Sequence, residues 1–503
     1  MSAPEIDRVA LDGTVSLRRM PRWYTTLFVT DTLERFGFYG MQAILVLYAA
    51  APVERGGLGL RTADAAALFG AWISVMFLLS LPGGWIGDRL LGQWRGLLCG
   101  CVLSGAGYLA LAAPTGWATT AGLILLAAGG GLFKPNHQAL INLMFDGRRG
   151  RESGISLMYV GVQISALAAP LITGYLGEKV SWHLGFSVAS AAVLVTAVLL
   201  AFSAGQFGGT GMRARRPATP LERRRALRGA GLVLGLAVVL VALLAVTGRL
   251  SATTAIMIAS VLSILLPVVG YVTLYRNPAL TAGRRRRLRG YLAVCLGATL
   301  FWIIIAHSAS LLTLFARDHT DLTVFGLGIP ASWLQAATPA FILVLAPVVA
   351  KVLPAVDGVG VKLGVGLVMV GTGFLVMCVG SSLAGDGQQV SLLWLALVYL
   401  LHAAGEVIIA AVAISSAADV LGPEFIGRVI GMLWLFAALG GGLGSLLVRL
   451  STAMSEPVYY ASLGGVAALI GVVFLLSRRT LGNALVAEVA DVVEVADVQK
   501  GHV

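Results

Sequence analysis

The stretch Asp31–Tyr48, D-T-L-E-R-F-G-F-Y-G-M-Q-A-I-L-V-L-Y, places ionisable side chains in a segment that otherwise has the composition of a membrane-spanning helix. An ionised group at the middle of a bilayer costs about 2.5–3.5 kcal/mol even on permissive insertion scales. Such residues usually face a polar cavity, pair with each other, and mark a substrate or proton path. Glu34 and Arg35 are therefore candidates for function; the alternative is an internal ion pair that only locks two helices.

The composition of the chain predicts an all-α membrane protein. Of its 503 residues, 58% are hydrophobic and only 12% are charged, and the mean hydropathy is +0.88. No water-soluble globular protein needs so apolar a sequence for its core. A span requires about 20 mainly apolar residues, and about fourteen segments qualify. They are residues 24–50, 63–87, 94–113, 117–144, 153–177, 182–203, 229–248, 252–275, 288–316, 331–352, 362–383, 389–417, 427–450 and 457–477.

The net charge of +12 indicates membrane topology and not nucleic-acid binding. The basic residues fall between predicted spans, on one side if the spans alternate in direction. Because cytoplasmic loops are enriched in Lys and Arg, we expect both termini in the cytoplasm. The basic positions are Arg18, Arg19, Arg22, Arg89, Arg95, Arg148, Arg149, Arg151, the stretches 213–228 and 284–289, Arg478 and Arg479.

Other residue types predict no metal site, no cofactor and no enzyme activity. The cysteines lie inside predicted spans without metal-ligand spacing, and we interpret them as small core residues. No Ser-His-Asp set or phosphate-binding loop stands out. The first 20 residues lack an apolar core, so we expect no cleavable signal peptide. The cysteines are Cys99, Cys101, Cys295 and Cys378.

The order of the spans predicts two six-helix bundles with two extra helices between them. Two pseudo-symmetric halves suggest alternating access around a site at the membrane midplane. The acidic tail is interpreted as an amphipathic helix or a disordered segment, without an assigned function. The predicted boundaries are 1–203 for the first bundle, 204–287 for the linkers and extra helices, 288–480 for the second bundle and 481–503 for the tail.

The loop Gly83–Gly92, G-G-W-I-G-D-R-L-L-G, follows the second span. Small residues permit close helix contact, and Asp88 and Arg89 can form charge pairs or cap helix ends, as a reversible gate requires. The motif resembles the loop signature of the major facilitator superfamily. The alternative is a turn that merely ends a helix.

Two further ionisable residues lie deep in predicted spans, one in each half. Lys134 belongs to G-G-G-L-F-K-P-N-H-Q in the fourth span, and Glu406 belongs to L-L-H-A-A-G-E-V-I-I in the tenth span of the two bundles. The two are natural partners across a central cleft. They are equally able to hold a zwitterion, with its amine at Glu406 and its carboxylate at Arg35 and Lys134.

The motifs together resemble those of the proton-coupled oligopeptide transporter family. The resemblance covers residues 22 to 480 in order, including two extra central helices typical of bacterial members. The first-helix motif E-x-x-E-R-F is matched with Asp31 in place of the first Glu. The matching segments are D-T-L-E-R-F-G-F-Y-G (31–40), L-F-K-P-N (132–136), M-Y-V-G-V-Q-I-S-A through G-F (158–186), F-W (301–302), S-L-L-T-L-F-A (310–316), S-W-L-Q-A-A-T-P-A-F (332–341) and residues 405–434.

The resemblance implies roles for individual residues. Glu34 and Arg35, with Asp31, would take part in proton coupling. Arg35 and Lys134 would receive a peptide carboxylate, and Glu406 would receive the amino terminus. The residues implied to line the cavity are Tyr39 and Trp434.

The chain departs from the family at a pair of outer gating positions. A first-helix Arg of the family falls on Gln42, and its helix-seven Glu falls on Ala306. Both positions are neutral here, and this coordinated loss avoids stranding a single charge in the membrane. His307, next to Ala306, is the candidate substitute proton site because imidazole titrates in the useful range; the alternative is a hydrogen-bonding core histidine.

The cavity also departs from the family. The fifth-helix Asn is Gln163, the eighth-helix Asn is Thr338, and two cavity Tyr positions are Phe38 and Phe69. These changes bring ordinary di- and tripeptide specificity into question.

We expect a monomeric, proton-driven symporter of short peptides or peptide-like zwitterions in a bacterial plasma membrane. Two alternatives remain: a transporter for export or uptake of a modified peptide natural product, and a peptide receptor that has lost transport. A membrane-embedded enzyme is disfavoured because no paired catalytic groups lie near one interface.

Overall fold

A computed structural model describes residues 20–145, 151–356, 358–384, 388–421 and 425–485 of the chain. These residues are almost entirely helical. The tail beyond residue 485, for which a helix or disorder is predicted, lies outside them. The helices are α1 (Arg22–Ala50), α2 (Thr62–Ile86), α3 (Gln93–Leu111), α4 (Gly116–Met144), α5 (Arg151–Tyr175), α6 (Trp182–Phe202), α7 (Pro220–Val246), α8 (Ala252–Tyr275), α9 (Ala282–Ser308), α10 (Leu311–His319), α11 (Ala337–Val352), α12 (Val359–Leu383), α13 (Leu392–Val420), α14 (Ile426–Val448), α15 (Glu456–Leu476) and α16 (Arg478–Leu485).

The prediction of about fourteen spans is confirmed. Within the described residues, thirteen helical segments are long and apolar enough to cross a membrane. Helix α1 is not among them because its polar side chains lower its mean hydropathy, but its 29 residues are ample for a crossing. The charged first helix and these thirteen segments together give the predicted number.

Two helices begin earlier than the apolar segments predict. Helix α7 starts at Pro220 because Thr219 and Glu222 form a capping box, and Thr281 caps α9 through the backbone N–H of Arg284. The second basic stretch therefore lies at the start of a helix, as does the part of the first stretch from Arg223 onward, whereas Arg213, Arg215 and Arg216 precede α7. Apolar composition marks where a helix enters lipid, whereas the caps mark where it begins.

The predicted span 288–316 is interrupted between α9 and α10. The hydroxyl of Ser310 donates to the Ala306 carbonyl at 2.8 Å, and that of Thr313 donates to the Ser308 carbonyl at 3.0 Å. Such local bonds compete with the regular backbone ladder of a helix. The predicted span is nevertheless confirmed as one apolar segment, Ala282–His319, with a short break between its two helices.

The chain divides into two compact units, the first comprising residues up to Met41 and Leu79–Gly248. In it, α3 and α4 approach closely because glycines face each other: a Cβ on Gly107 would lie 2.9 Å from the carbonyl oxygen of Gly122. A buried cluster that includes Trp23, Tyr24 and Phe133 packs beside them. Close backbone approach at small residues is typical of helices in lipid.

The second unit comprises Gln42–Leu78 and Arg249–Val503. Helices α12 and α15 meet at facing glycines, where a Cβ on Gly371 would lie 2.7 Å from the Gly464 carbonyl oxygen. The predicted bundle boundaries at 203/204 and 287/288 stay a prediction. Four two-residue strands also lie in this unit: β1 (Thr320–Asp321) pairs in parallel with β4 (Val390–Ser391), and β2 (Thr323–Val324) pairs antiparallel with β3 (Leu327–Gly328).

Candidate proton and substrate site

The three charged residues of α1 form one cluster. The Arg35 guanidinium lies 2.5 Å from the Glu34 carboxylate and 3.8 Å from that of Asp31. Glu34 and Arg35 are buried, with 2% and 6% of their surfaces exposed. Opposite charges in contact lower each other's cost inside a membrane. The geometry fits both an internal ion pair and a proton-coupling role, and the latter stays a prediction.

Lys134 of α4 joins this cluster through an aromatic ring. Its ammonium lies 5.4 Å from the centre of the Phe38 ring, and the Arg35 guanidinium lies 5.1 Å from the same centre. Lys134 also interacts electrostatically with Asp31 and Glu34. Two cations that converge on one ring can receive a carboxylate, the role predicted for Arg35 and Lys134.

The turn around Lys134 is held by the loop motif at the end of α2. The side-chain amide of Asn136 donates to the Gly83 carbonyl at 3.1 Å, and a Cβ on Gly83 would lie 2.1 Å from the Gly131 carbonyl oxygen. Pro135 lies inside α4 without ending it. The glycines of the motif thus allow α2 and α4 to touch directly beside Lys134.

The predicted gating residues Asp88 and Arg89 contact neighbours that the sequence did not indicate. Gln93 donates to Asp88 at 2.8 Å, whereas Arg89 lies 3.7 Å from Glu222. The Arg89 carbonyl also accepts from the backbone N–H of Ala218 at 2.9 Å. The linker after α6 is therefore bonded to the loop motif, and a gating role for the two residues stays a prediction.

The other predicted substrate residues lie in both units. In the first, Tyr39 is half-buried and its ring packs edge-on against Phe38 at 5.2 Å, while Gln163 is buried. In the second, Thr338 is half-buried on α11. Also in the second unit, Glu406 is half-buried on α13.

Trp434 belongs to an aromatic cluster of the second unit. Its ring stacks on Phe77 with centroids 5.4 Å apart and lies 6.5 Å from Trp302. Lys134 lies in the first unit and Glu406 in the second. Their pairing, and the substrate-binding roles of the whole set, stay predictions.

His307 has the hydrogen bonds expected of a core histidine. It is fully buried, its Nδ1 lies 2.6 Å from the Ile303 carbonyl oxygen, and its Nε2 lies 2.6 Å from the Tyr459 hydroxyl. A carbonyl only accepts, so Nδ1 donates and Nε2 accepts from the tyrosine. The neutral ring is thus fully satisfied; a proton-carrying role for His307 stays a prediction.

Gln42 has a neutral partner. Its side-chain amide donates to Gln335 at 3.4 Å, and Gln335 in turn donates to the Thr313 hydroxyl at 2.9 Å. Uncharged hydrogen bonds therefore surround the position where the family carries an Arg.

Asp64 is a buried charge that sequence reasoning missed. Its carboxylate lies 2.8 Å from Arg61 and 3.2 Å from Arg449, and it accepts from the Thr253 hydroxyl at 3.1 Å. The network joins α2, α8 and the end of α14. The only sequence signal for a role of Asp64 is its position in the first turn of α2, where a carboxylate interacts favourably with the helix dipole.

Within the described residues, no group of three His, Cys, Asp or Glu side chains is arranged to hold a metal ion.

Comparisons with known proteins identify relatives over nearly the whole chain. The sequence profile of the POT family matches residues 97–462. A di-/tripeptide transporter of Lactococcus lactis subsp. cremoris is 30% identical over 481 residues, covering 92% of this chain and 96% of the relative. A crystal structure of the peptide transporter POT with sulfate is 30% identical with a TM-score of 0.89, covering 94% and 97% of the two chains. A mutant of that transporter with alafosfalin is 31% identical with a TM-score of 0.87, covering 93% and 97%.

Proposed function

The chain belongs to the POT family, and from that premise we propose that it is a proton-coupled symporter of di- and tripeptides or peptide-like zwitterions. The proposal has the support of relatives named as di-/tripeptide transporters and of the solved peptide transporter POT. Within the chain, the observation that carries it is the cluster of Arg35 and Lys134 around Phe38.

The peptide's two charged ends would bind opposite charges of the protein. In the first unit, the guanidinium and the ammonium would receive the carboxylate, because charge-assisted hydrogen bonds are about twice as strong as neutral ones. In the second unit, Glu406 would receive the amino group. A bound zwitterion would therefore compensate charges in both units, whereas a singly charged substrate would leave one of them without its partner.

Coupling to protons would come from the carboxylates beside Arg35. While both carboxylates are ionised, they compete with the peptide carboxylate for the two cations. Protonation of Asp31 or Glu34 frees Arg35 and Lys134 to bind the substrate. The proton and the peptide would then bind and leave together.

We further propose a monomer in the bacterial plasma membrane. We propose cytoplasmic termini because the basic residues fall between spans on one side of the membrane. Helices α7 and α9 carry several of these arginines in their first turns. Reactivity of single cysteines introduced near Arg215 and Arg317 toward an impermeant reagent tests the orientation.

Purified protein in proteoliposomes tests the proposed function. Labelled dialanine should exchange in counterflow without any gradient, and it should accumulate only under an inwardly directed proton gradient. Counterflow without accumulation would indicate transport that is not proton-driven. Binding without counterflow would favour the receptor alternative, which the neutral Gln42 and Ala306 make worth testing.

A further inference from the structure

His137 of α4 lies against the charged cluster of α1, and its surroundings restrict its chemistry. It is buried, with 5% of its surface exposed. Its Nδ1 faces the Asp31 carboxylate at 3.7 Å, and its Nε2 lies 3.2 Å from the Leu27 carbonyl oxygen. Its ring stacks on Phe133, with centroids 5.3 Å apart and planes 11° from parallel.

The bond to Leu27 decides which nitrogen can take up a proton. A carbonyl oxygen only accepts, so Nε2 carries the hydrogen and Nδ1 of the neutral ring bears a lone pair. That lone pair points toward a carboxylate oxygen, which is also an acceptor, across a distance too long for a hydrogen bond. A proton on Nδ1 would convert this repulsive pair of acceptors into a charge-assisted N–H donor and its acceptor.

The charges around His137 link this proton to the substrate. When ionised, Asp31 and Glu34 balance Arg35 and Lys134, so a proton on His137 leaves the cluster with an excess positive charge. That excess favours an arriving carboxylate, and by reciprocity a bound carboxylate favours the proton. The titratable groups of the surrounding elements are Tyr24, Asp31, Glu34 and Arg35 on α1, Cys101 on α3 and Lys134 on α4.

We infer that His137 is a proton-binding residue of the transport cycle, which accepts a proton at Nδ1 against Asp31 and raises the affinity of the neighbouring cations for the peptide carboxylate. This inference rests on the proposed function. It assigns part of the pH dependence of peptide binding to a histidine of the first unit, in addition to the carboxylates beside Arg35, and not to His307, whose two nitrogens are already satisfied.

The pH dependence of dialanine affinity tests the inference. Wild-type protein should bind dialanine more tightly at about pH 6 than at about pH 8, the range in which imidazole titrates. His137→Gln should reduce this difference, because glutamine can donate to the Leu27 carbonyl but cannot titrate, while the carboxylates beside Arg35 remain. His137→Leu should reduce it as well. His183→Gln is the control, since His183 also contacts a main-chain carbonyl, that of Leu111, and it should keep the wild-type difference.

The outcomes separate the inference from the proposed function. If wild-type protein binds no dialanine at either pH, the proposed function is wrong. If wild-type protein binds with a pH difference that His137→Gln preserves, the inference is wrong and the contact with Leu27 is the residue's role.

If His137→Gln does not bind dialanine at all, the ¹⁵N spectrum of histidine-labelled wild-type protein tests instead whether His137 takes up a proton. The signal absent from the His137→Gln spectrum belongs to His137. It should change from the neutral to the cationic form over the pH range in which affinity changes, and a signal that stays neutral would overturn the inference.

Discussion

Arg449, at the end of α14, lies 3.2 Å from the carboxylate of Asp64 in the first turn of α2. The side chain of Asp64 is 6% exposed, and that of Arg449 is 27% exposed. Asp64 is thus the common acceptor for two arginines and for the Thr253 hydroxyl. Its removal should leave several donors without their acceptor.

Asp64→Ala should lower the stability of the second unit. The Arg61 side chain is exposed, but Arg449 and Thr253 are half-buried and would lose their acceptor. Leaving a buried donor unsatisfied costs about 1–3 kcal/mol, so the melting temperature in detergent should fall. Asp318→Ala is the matched control, because Asp318 pairs with Arg317 and the side chains of both residues are more than a third exposed. Such surface pairs contribute about 0–1 kcal/mol. Equal melting temperatures for the two variants would show that the Asp64 network does not stabilise the fold.

Lys134→Ala and Glu406→Ala should each abolish proton-driven uptake of dialanine. Glu406→Ala removes the only proposed counter-charge for the peptide amine, and Lys134→Ala removes one of the two for the peptide carboxylate. Truncating one partner of a buried charge pair commonly costs several kcal/mol. The exposed Lys351→Ala and Glu54→Ala serve as controls, with uptake expected to match wild type. Normal transport by either buried variant would show that the predicted clamp is wrong.

Glu34→Gln should lose pH-driven accumulation and keep counterflow. The amide retains a hydrogen-bonding group beside Arg35, 2.5 Å away in the wild type, but it cannot release a proton. Uptake with and without a proton gradient, measured beside counterflow on the same liposomes, checks this. Full concentrative uptake by Glu34→Gln would instead direct attention to the histidines.

Gly92→Ala should destabilise the contact between the loop motif and the linker after α6. Gly92 has φ +86°, and a Cβ there would lie 2.5 Å from the Gly211 carbonyl oxygen. A non-glycine residue in such a sparsely populated conformation costs about 1–3 kcal/mol. Gly229→Ala is the control because a Cβ at that helical position meets open space. A melting temperature for Gly92→Ala equal to that of Gly229→Ala would contradict the prediction.

The sequence predicts the spans because apolar length is a local property, and it fails where a partner is distant in the chain. The cluster of Asp31, Glu34 and Arg35 can be predicted from the sequence, because residues three or four positions apart are neighbours on a helix. Asp64 and Arg449 are 385 positions apart, so no local pattern joins them. The same holds for Arg89 and Glu222, whose contact depends on the path of the linker.

His137 shows a second limit of sequence reasoning. In the sequence, His137 is only a neighbour of Lys134. In the structure, its side chain contacts Leu27 and faces Asp31, both on another helix. A histidine in an apolar helix is compatible with a core role or a proton-binding role. Only the acceptor at Nε2 and the carboxylate at Nδ1 distinguish between them.

The last prediction concerns the neutral positions Gln42 and Ala306. Gln42 donates to Gln335 at 3.4 Å, and Ala306 is buried with 8% of its surface exposed. Gln42→Arg or Ala306→Glu alone would place an uncompensated ion in the membrane, so each should impair dialanine uptake. The double substitution should recover part of the loss by forming a new pair, and counterflow rates of all four proteins measure this coupling. A double variant no better than the worse single variant would show that these positions do not pair, and the gating role of Gln42 would then have no support.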